Sequence, residues 1–117
     1  MSKINQLLNS LLVACALAIP AADAHSPLLL SVPENDARLE YAPTEIRLAF
    51  QKQVKRVLLR LTGESLDHKL RPTSSAASNE HSLTLPELSA GNYTATWRAI
   101  GKDGHVMKGS ITFSVQR

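Results

Sequence analysis

The chain has 117 residues, a formal net charge of +3 and one cysteine, Cys15, near its amino terminus. A chain of this length supports one small domain with a single core. The lone cysteine excludes a disulfide framework and thiolate chemistry beyond residue 15. Basic residues are too scattered along the sequence to predict a nucleic-acid-binding surface.

Residues 1–24 have the pattern of a secretory signal peptide. Lys3 provides the positive end, Leu11–Ile19 the apolar segment, and Ala22-Asp23-Ala24 a small-residue cleavage site. The sequence therefore predicts export to the periplasm, with cleavage after Ala24. No later apolar run approaches the ~20 residues that span a bilayer, so we expect no stable membrane insertion after cleavage. An alternative is lipoprotein processing at Cys15, which ends a lipobox-like run.

Cleavage after Ala24 makes His25 the first residue of the mature chain. Its α-amine, the next amide nitrogen and its imidazole then lie within chelating reach of one metal ion. Any residue can follow a cleavage site, so this feature alone does not establish a metal role.

The later sequence alternates between apolar and polar residues with a period of two, which is typical of half-buried antiparallel strands. Turn signals separate the runs every 8–12 residues or so, and no amphipathic helix is apparent. The pattern predicts an all-β sandwich with Trp97 in its core. The predicted strands are 28–32, 46–50, 54–61, 69–71, 82–85, 93–99 and 111–115.

Asp103 and His105 flank Gly104 in a turn between the two most regular predicted strands. Side chains two apart on an extended chain share a face, so a carboxylate and an imidazole lie together. The spacing is common and needs no metal. Combined with the amine and imidazole of His25, it gives a sulfur-free, nitrogen-rich ligand set, which suits Cu(II) better than zinc.

The sequence resembles the CopC copper-resistance family of exported proteins over essentially all of residues 25–117. The most specific part is Gly91-x-Tyr93-x-x-x-Trp97-Arg98, followed by Asp103-Gly104-His105 and Gly109-x-x-x-Phe113. Further matching segments are 25–28, 31–39, 42–43, 46–50 and 88–93.

This resemblance implies a seven-stranded Greek-key β-sandwich or barrel, cupredoxin-like or immunoglobulin-like in shape. It implies a non-enzymatic copper-binding protein, with one Cu(II) per mature chain held by His25, Asp103 and His105. It also implies a role in copper resistance, homeostasis or transport, with a CopD-like membrane copper transporter as a partner.

Two departures from the family pattern bear on the site. Some members carry a second, methionine-rich Cu(I) site, whereas only Met107 follows the signal segment here, and we expect it to be a packing residue. Many members have Phe-Ser-Glu where this chain has Phe50-Gln51-Lys52. The resemblance implies that the family glutamate supports the copper site, so a lysine there predicts weaker binding.

Alternative functions are a metal-free immunoglobulin-like interaction domain, favoured by Lys52, and a copper-dependent oxidative enzyme. The enzyme is disfavoured because the chain has few aromatic residues with which to hold a polymer. We expect His68 and His81 to be surface residues. We interpret the one small basic cluster, Lys52, Lys55 and Arg56, as solvent-exposed residues at a strand edge.

Overall fold

The structure is a computed structural model that describes residues 28–117. In this range the chain forms seven strands and no helix, and therefore no helix that could cross a membrane. The strands are β1 (Leu28–Val32), β2 (Ala37–Leu39), β3 (Glu45–Thr62), β4 (Asp67–Leu70), β5 (Ser78–Thr84), β6 (Gly91–Gly101) and β7 (Val106–Val115). The predicted all-β class is confirmed.

The long strand β3 connects the two layers of the sandwich. Its first part pairs with β1 and β5, and its second part pairs with β6 and β4. The pairing register shifts between Ala49 and Val54 against β5, and between Val54 and Arg56 against β6. Irregularities of this kind bend a strand, so residues 50–55 carry β3 from one layer to the other.

The core lies between the layers and is built from alternate residues of β3, β5, β6 and β7. Phe50 and Trp97 meet edge to face with ring centroids 5.5 Å apart. A Cβ atom at Gly109 would lie 2.7 Å from the Trp97 ring, so the indole covers this glycine on the neighbouring strand. Trp97 is 3% exposed, which confirms its predicted place in the core.

Two predicted strands, 46–50 and 54–61, form one continuous strand in the structure. The polar run Gln51-Lys52-Gln53 suggested a break, but its backbone continues in extended conformation through the bend. Strand β2 was not predicted, because three residues carry almost no periodicity. It pairs in parallel with β7, next to a turn whose Asn35 and Asp36 side chains accept hydrogen bonds from Thr112.

The β6–β7 hairpin presents the predicted site residues. It stays in register from Gly91 opposite Val115 to Ile100 opposite Val106. Tyr93 fixes the start of β6, because its hydroxyl donates a hydrogen bond of 2.6 Å to the Ser89 carbonyl. The connecting loop, residues 102–105, projects from the other end of the hairpin.

Candidate metal centre

The loop that carries Asp103 and His105 is a tight turn closed by its own backbone. The Gly104 N–H donates to the Gly101 carbonyl at 2.9 Å, and the Gly101 N–H donates to the His105 carbonyl at 2.8 Å. Gly104 has φ near +90°, which favours glycine at this position. The Lys102 N–H donates to the Gln53 carbonyl at 3.0 Å, which fixes the loop to the bend of β3.

Asp103 and His105 are in direct contact, as their spacing predicted. The His105 Nδ1–H donates to Asp103 Oδ2 at 2.8 Å, and the His105 backbone N–H donates to Asp103 Oδ1 at 3.1 Å. Because the carboxylate engages Nδ1, the lone pair of the neutral imidazole lies on Nε2. His105 therefore presents Nε2 as a metal donor, on the side of the ring away from the carboxylate. Asp103 can ligate an ion bound at Nε2 only if its carboxylate turns away from Nδ1.

Both side chains are open to solvent, with 83% of the His105 side chain and 51% of the Asp103 side chain exposed. The hydrogen bond from the His105 imidazole holds the pKa of Asp103 below its ordinary value, and the His105 backbone N–H adds to this. Because the folded-state pKa is lowered, the contact contributes its full stabilisation at pH values above the ordinary carboxyl pKa. This stabilisation is lost only as the pH falls through the lowered pKa of Asp103.

Lys52, which stands where the family glutamate is expected, lies beside the same two residues. It lines a hollow of about 250 Å³ together with Asp103 and His105. Its charge also contributes to the lowered pKa of Asp103. A cation in this position stabilises the ionised carboxylate of Asp103 and repels a metal cation bound there.

Met107 lines this hollow too, and its side chain packs against the core. It is half-buried and opposite Ala99 on β6. This agrees with the expected packing role.

The beginning of β1 lies beside the hollow. Leu28 pairs with Phe50, and Phe50-Gln51-Lys52 form one wall of the hollow. His25 itself lies outside the described residues, as do Cys15 and the predicted cleavage site after Ala24. Within residues 28–117, no group of three or more His, Cys, Asp or Glu side chains is placed to hold a metal ion.

The two remaining histidines have different surroundings. His81 is only 4% exposed, so the expectation of a surface residue was wrong. Its Nε2–H donates to the carbonyls of Val54, at 2.9 Å, and Ser78, at 3.0 Å. His68 is exposed on β4 opposite Leu61, as expected for a surface residue.

The interpretation of Lys55 and Arg56 as strand-edge residues is correct on one side of β3 only. Arg56 pairs with Ile100 of β6 on one side. On the other side, β5 pairs with β3 up to Val54 and β4 pairs from Leu59 onward. Residues 55–58 are therefore an unpaired stretch between these strands within the described chain.

Comparison with known proteins assigns the family. The CopC domain profile matches residues 28–116. Copper resistance protein C of Xanthomonas campestris pv. juglandis is 32% identical, over 90% of this chain and 91% of its own length. Protein YobA of Escherichia coli K12 is 30% identical over 90% of both chains.

Solved structures agree with this assignment. The CopC structure from Methylosinus trichosporium OB3b matches with a TM-score of 0.67 at 22% identity, covering 79% of this chain and 94% of that one. PcoC, described as a methionine-rich copper resistance protein of Escherichia coli, matches with a TM-score of 0.61 at 29% identity. That match covers 80% of this chain and all of PcoC.

The chain belongs to the CopC family of copper resistance proteins. The resemblance inferred from the sequence is thereby confirmed, together with the β-sandwich or barrel fold. CopC proteins are copper-binding resistance proteins and not enzymes, which confirms the non-enzymatic prediction and removes the oxidative-enzyme alternative.

Proposed function

We propose that this protein is a periplasmic Cu(II) carrier that binds one copper ion per mature chain. Its signal peptide is removed after Ala24, and the ion is held by His25, Asp103 and His105. The protein acts in copper resistance, homeostasis or transport and passes copper to a CopD-like membrane transporter.

The arrangement of Asp103 and His105 is the observation that carries this proposal. The carboxylate holds the imidazole by Nδ1 at 2.8 Å and leaves Nε2 as an exposed donor. A hydrogen bond to the other ring nitrogen orients a histidine for metal binding, and Asp103 joins the ligand set by turning from Nδ1 to the ion. A purely structural turn needs no imidazole with 83% of its side chain exposed.

The start of β1 supports the participation of His25. Leu28 lies opposite Phe50, in the wall of the hollow that contains His105. Three residues of extended chain span up to about 10 Å. We therefore expect the α-amine and the imidazole of His25 to reach the loop.

The proposed donors fit Cu(II) by their chemistry. Two imidazoles, an amine and a carboxylate provide three nitrogens and one oxygen with no sulfur. Cu(II) binds such ligands in tetragonal geometry and lies at the top of the divalent affinity series. Cu(I), which prefers thiolate and thioether ligands, would find only the half-buried Met107 in this hollow.

A copper transport partner is supported by one relative. Copper transport protein CutJ of Bacillus subtilis is 27% identical over 79% of this chain, a match that covers 18% of CutJ. There, a segment similar to this chain is part of a larger copper transport protein. A separate carrier and a membrane transporter would divide the same task between two chains.

The test compares the exported protein with a version that carries one extra glycine before His25. The intact mass of the exported chain should correspond to residues 25–117. It should bind one Cu(II), with a nitrogen-dominated tetragonal electron paramagnetic resonance spectrum. The extra glycine moves the α-amine away from the imidazole, so binding should weaken by at least about 100-fold, the upper end of what changing an outer partner costs.

Equal affinities of the two proteins would overturn the proposed role of the His25 amine. A mass corresponding to lipid-modified Cys15 would overturn the processing. No copper binding by either protein would favour the metal-free interaction domain, for which Lys52 beside Asp103 is the supporting observation.

A further inference from the structure

The outer face of the sheet, opposite the core, collects basic residues that are far apart in sequence. Leu58 of β3 lies directly opposite Arg98 of β6, and Arg98 lies opposite Lys108 of β7. In the next row, Arg56, Ile100 and Val106 are aligned in the same way. Alternation along a strand places these side chains together on one face.

Two hollows meet on this face at Leu58 and Arg71, and together they form what we call the basic groove. The first, of about 430 Å³, runs along the unpaired stretch of β3, and the second, of about 570 Å³, crosses β3 and β6. No carboxylate lines either one. The basic residues that line them are Lys55, Arg56, Arg60, Lys69, Arg71, Arg98 and Lys108.

Most of this positive charge is not neutralised within the described chain. Arg60 forms a two-pronged ion pair with Asp67, at 2.8 and 2.6 Å. The other six basic side chains form no ion pair with any of residues 28–117. Clustering like charges without partners raises the energy of the free protein, and a negatively charged ligand removes this cost.

The groove also offers apolar contact and backbone hydrogen-bonding groups. Leu58 is 41% exposed between the basic side chains, and Val106 is exposed beside them. No strand of the described chain pairs with residues 55–58 on the side away from β6. An unpaired strand segment can accept an added extended segment.

We propose that the basic groove binds an acidic, extended segment of a partner protein, with leucine-like side chains against Leu58 and carboxylates against the arginines. A concave groove with an open strand segment fits a polypeptide, whose backbone and side chains it contacts together. A lipid bilayer presents a broad surface that would reach only the rim. The row of Arg56, Ile100 and Val106 lies next to the loop of His105, so such a partner would be seated beside that loop.

The experiment uses the exported protein without added copper, so its outcome is independent of the proposed copper function. The probe is an acetylated hexapeptide with glutamate at positions 1 and 5, leucine at position 3 and serine at the other positions, so that the glutamates and the leucine share one face of the extended chain. Its control is the same peptide with glutamine in place of glutamate. Binding is followed by backbone amide chemical shifts at low salt. We expect the acidic peptide to shift amides of residues 55–60, 96–100 and 106–110, and the glutamine peptide to shift none.

Two double variants test whether the site is local. Arg98→Glu with Lys108→Glu places negative charge in the groove and should weaken peptide binding by about tenfold or more. Arg38→Glu with Arg117→Glu makes the same change in net charge elsewhere. Arg38 pairs with Ser114, six residues or about 20 Å along β7 from Lys108, so affinity should change by less than about twofold.

Equal weakening by both double variants would show attraction to net charge only and would overturn the proposal. Binding of the glutamine peptide with the same affinity would overturn it as well. Phosphatidylglycerol vesicles serve as a competing ligand. If the vesicles bind through Arg98 and Lys108 and the acidic peptide does not bind, the groove recognises lipid and the proposal is wrong.

Discussion

The junction between the two layers and the loop at the end of the β6–β7 hairpin are built on opposite principles. At the junction, Phe50 and Trp97 are in edge-to-face contact and buried His81 donates to two backbone carbonyls. In the loop, the side chains of His105 and Asp103 are hydrogen-bonded to each other, and 83% and 51% of them are exposed. The junction has no need of a metal, whereas the loop gains little from its own contacts, because exposed pairs contribute little stability.

This difference separates stability from copper binding. Side chains at the junction are expected to determine whether the domain folds. Side chains of the loop are expected to determine whether it binds copper. Single substitutions in either region test this separation, because each should change mainly stability or mainly copper affinity.

The largest expected effect is that of Trp97→Ala on stability. Removing the indole from beside Phe50 and Gly109 leaves a cavity, which should lower the free energy of unfolding by about 3–5 kcal/mol. That loss is close to the whole stability of a small domain. Denaturant unfolding of the metal-free protein measures it, with exposed Thr96→Ala as the control. If the parent protein is unfolded without metal, stability depends on copper binding, and the two properties are not separate.

The second prediction concerns His105→Ala. Loss of the exposed Nε2 donor should weaken Cu(II) binding by at least about 100-fold, because removing a ligand costs more than the ~10–100-fold of changing an outer partner. The free energy of unfolding should change by no more than about 0.5 kcal/mol, because the side chain is exposed. Titration with copper against a competing chelator measures the affinity. A similar loss in the control His68→Ala would show that copper is bound elsewhere.

His81→Leu should have the reverse profile. The Val54 and Ser78 carbonyls lose a buried donor, which should cost about 1–3 kcal/mol of stability. Copper affinity should stay within about threefold, because His81 lies outside the ligand set. Thermal unfolding and copper titration of the same sample test both parts. A copper loss as large as that of His105→Ala would show that the junction and the loop are coupled.

Much of the fold could be predicted because the alternation of apolar and polar residues shows which side chains of a strand are buried. Residues 93–99 and 111–115 alternate without interruption, and both lie in strands of the hairpin. β2 and the continuity of β3 could not be predicted in this way. β2 depends on Thr112, more than 70 residues away, and the bend of β3 is formed by polar residues whose pattern resembles a loop.

The loop of the candidate site could be predicted from the sequence, whereas the residues that surround it could not. Asp103-Gly104-His105 is a local pattern, so its geometry follows from spacing and turn chemistry. The burial of His81 depends on the carbonyl of Val54, 27 residues away, which nothing near His81 in sequence indicates. The basic groove escaped prediction for the same reason, because β3, β4, β6 and β7 each contribute only one or a few of its basic residues.

The smallest expected effect concerns Lys52, where both regions meet. Lys52 lies on the bend of β3 and also lines the hollow of Asp103 and His105, so its charge acts on the loop without being a ligand. Lys52→Glu replaces a charge that repels Cu(II) with one that attracts it. Because changes around metal ligands alter affinity by ~10–100-fold, we expect binding to tighten by about tenfold.

The matched control is Lys55→Glu, which makes the same charge change on β3 but lines the basic groove and not the copper hollow. Copper affinity of that variant should stay within about twofold, since solvent screens a distant exposed charge. Equal tightening by both variants would mean that net charge, and not the position of Lys52, determines the effect. No change with Lys52→Glu would mean that the ammonium lies too far from the bound ion to oppose it. The exposed position of Lys52 also predicts that the gain shrinks at high salt, because screening weakens an interaction through solvent more than one through the protein interior.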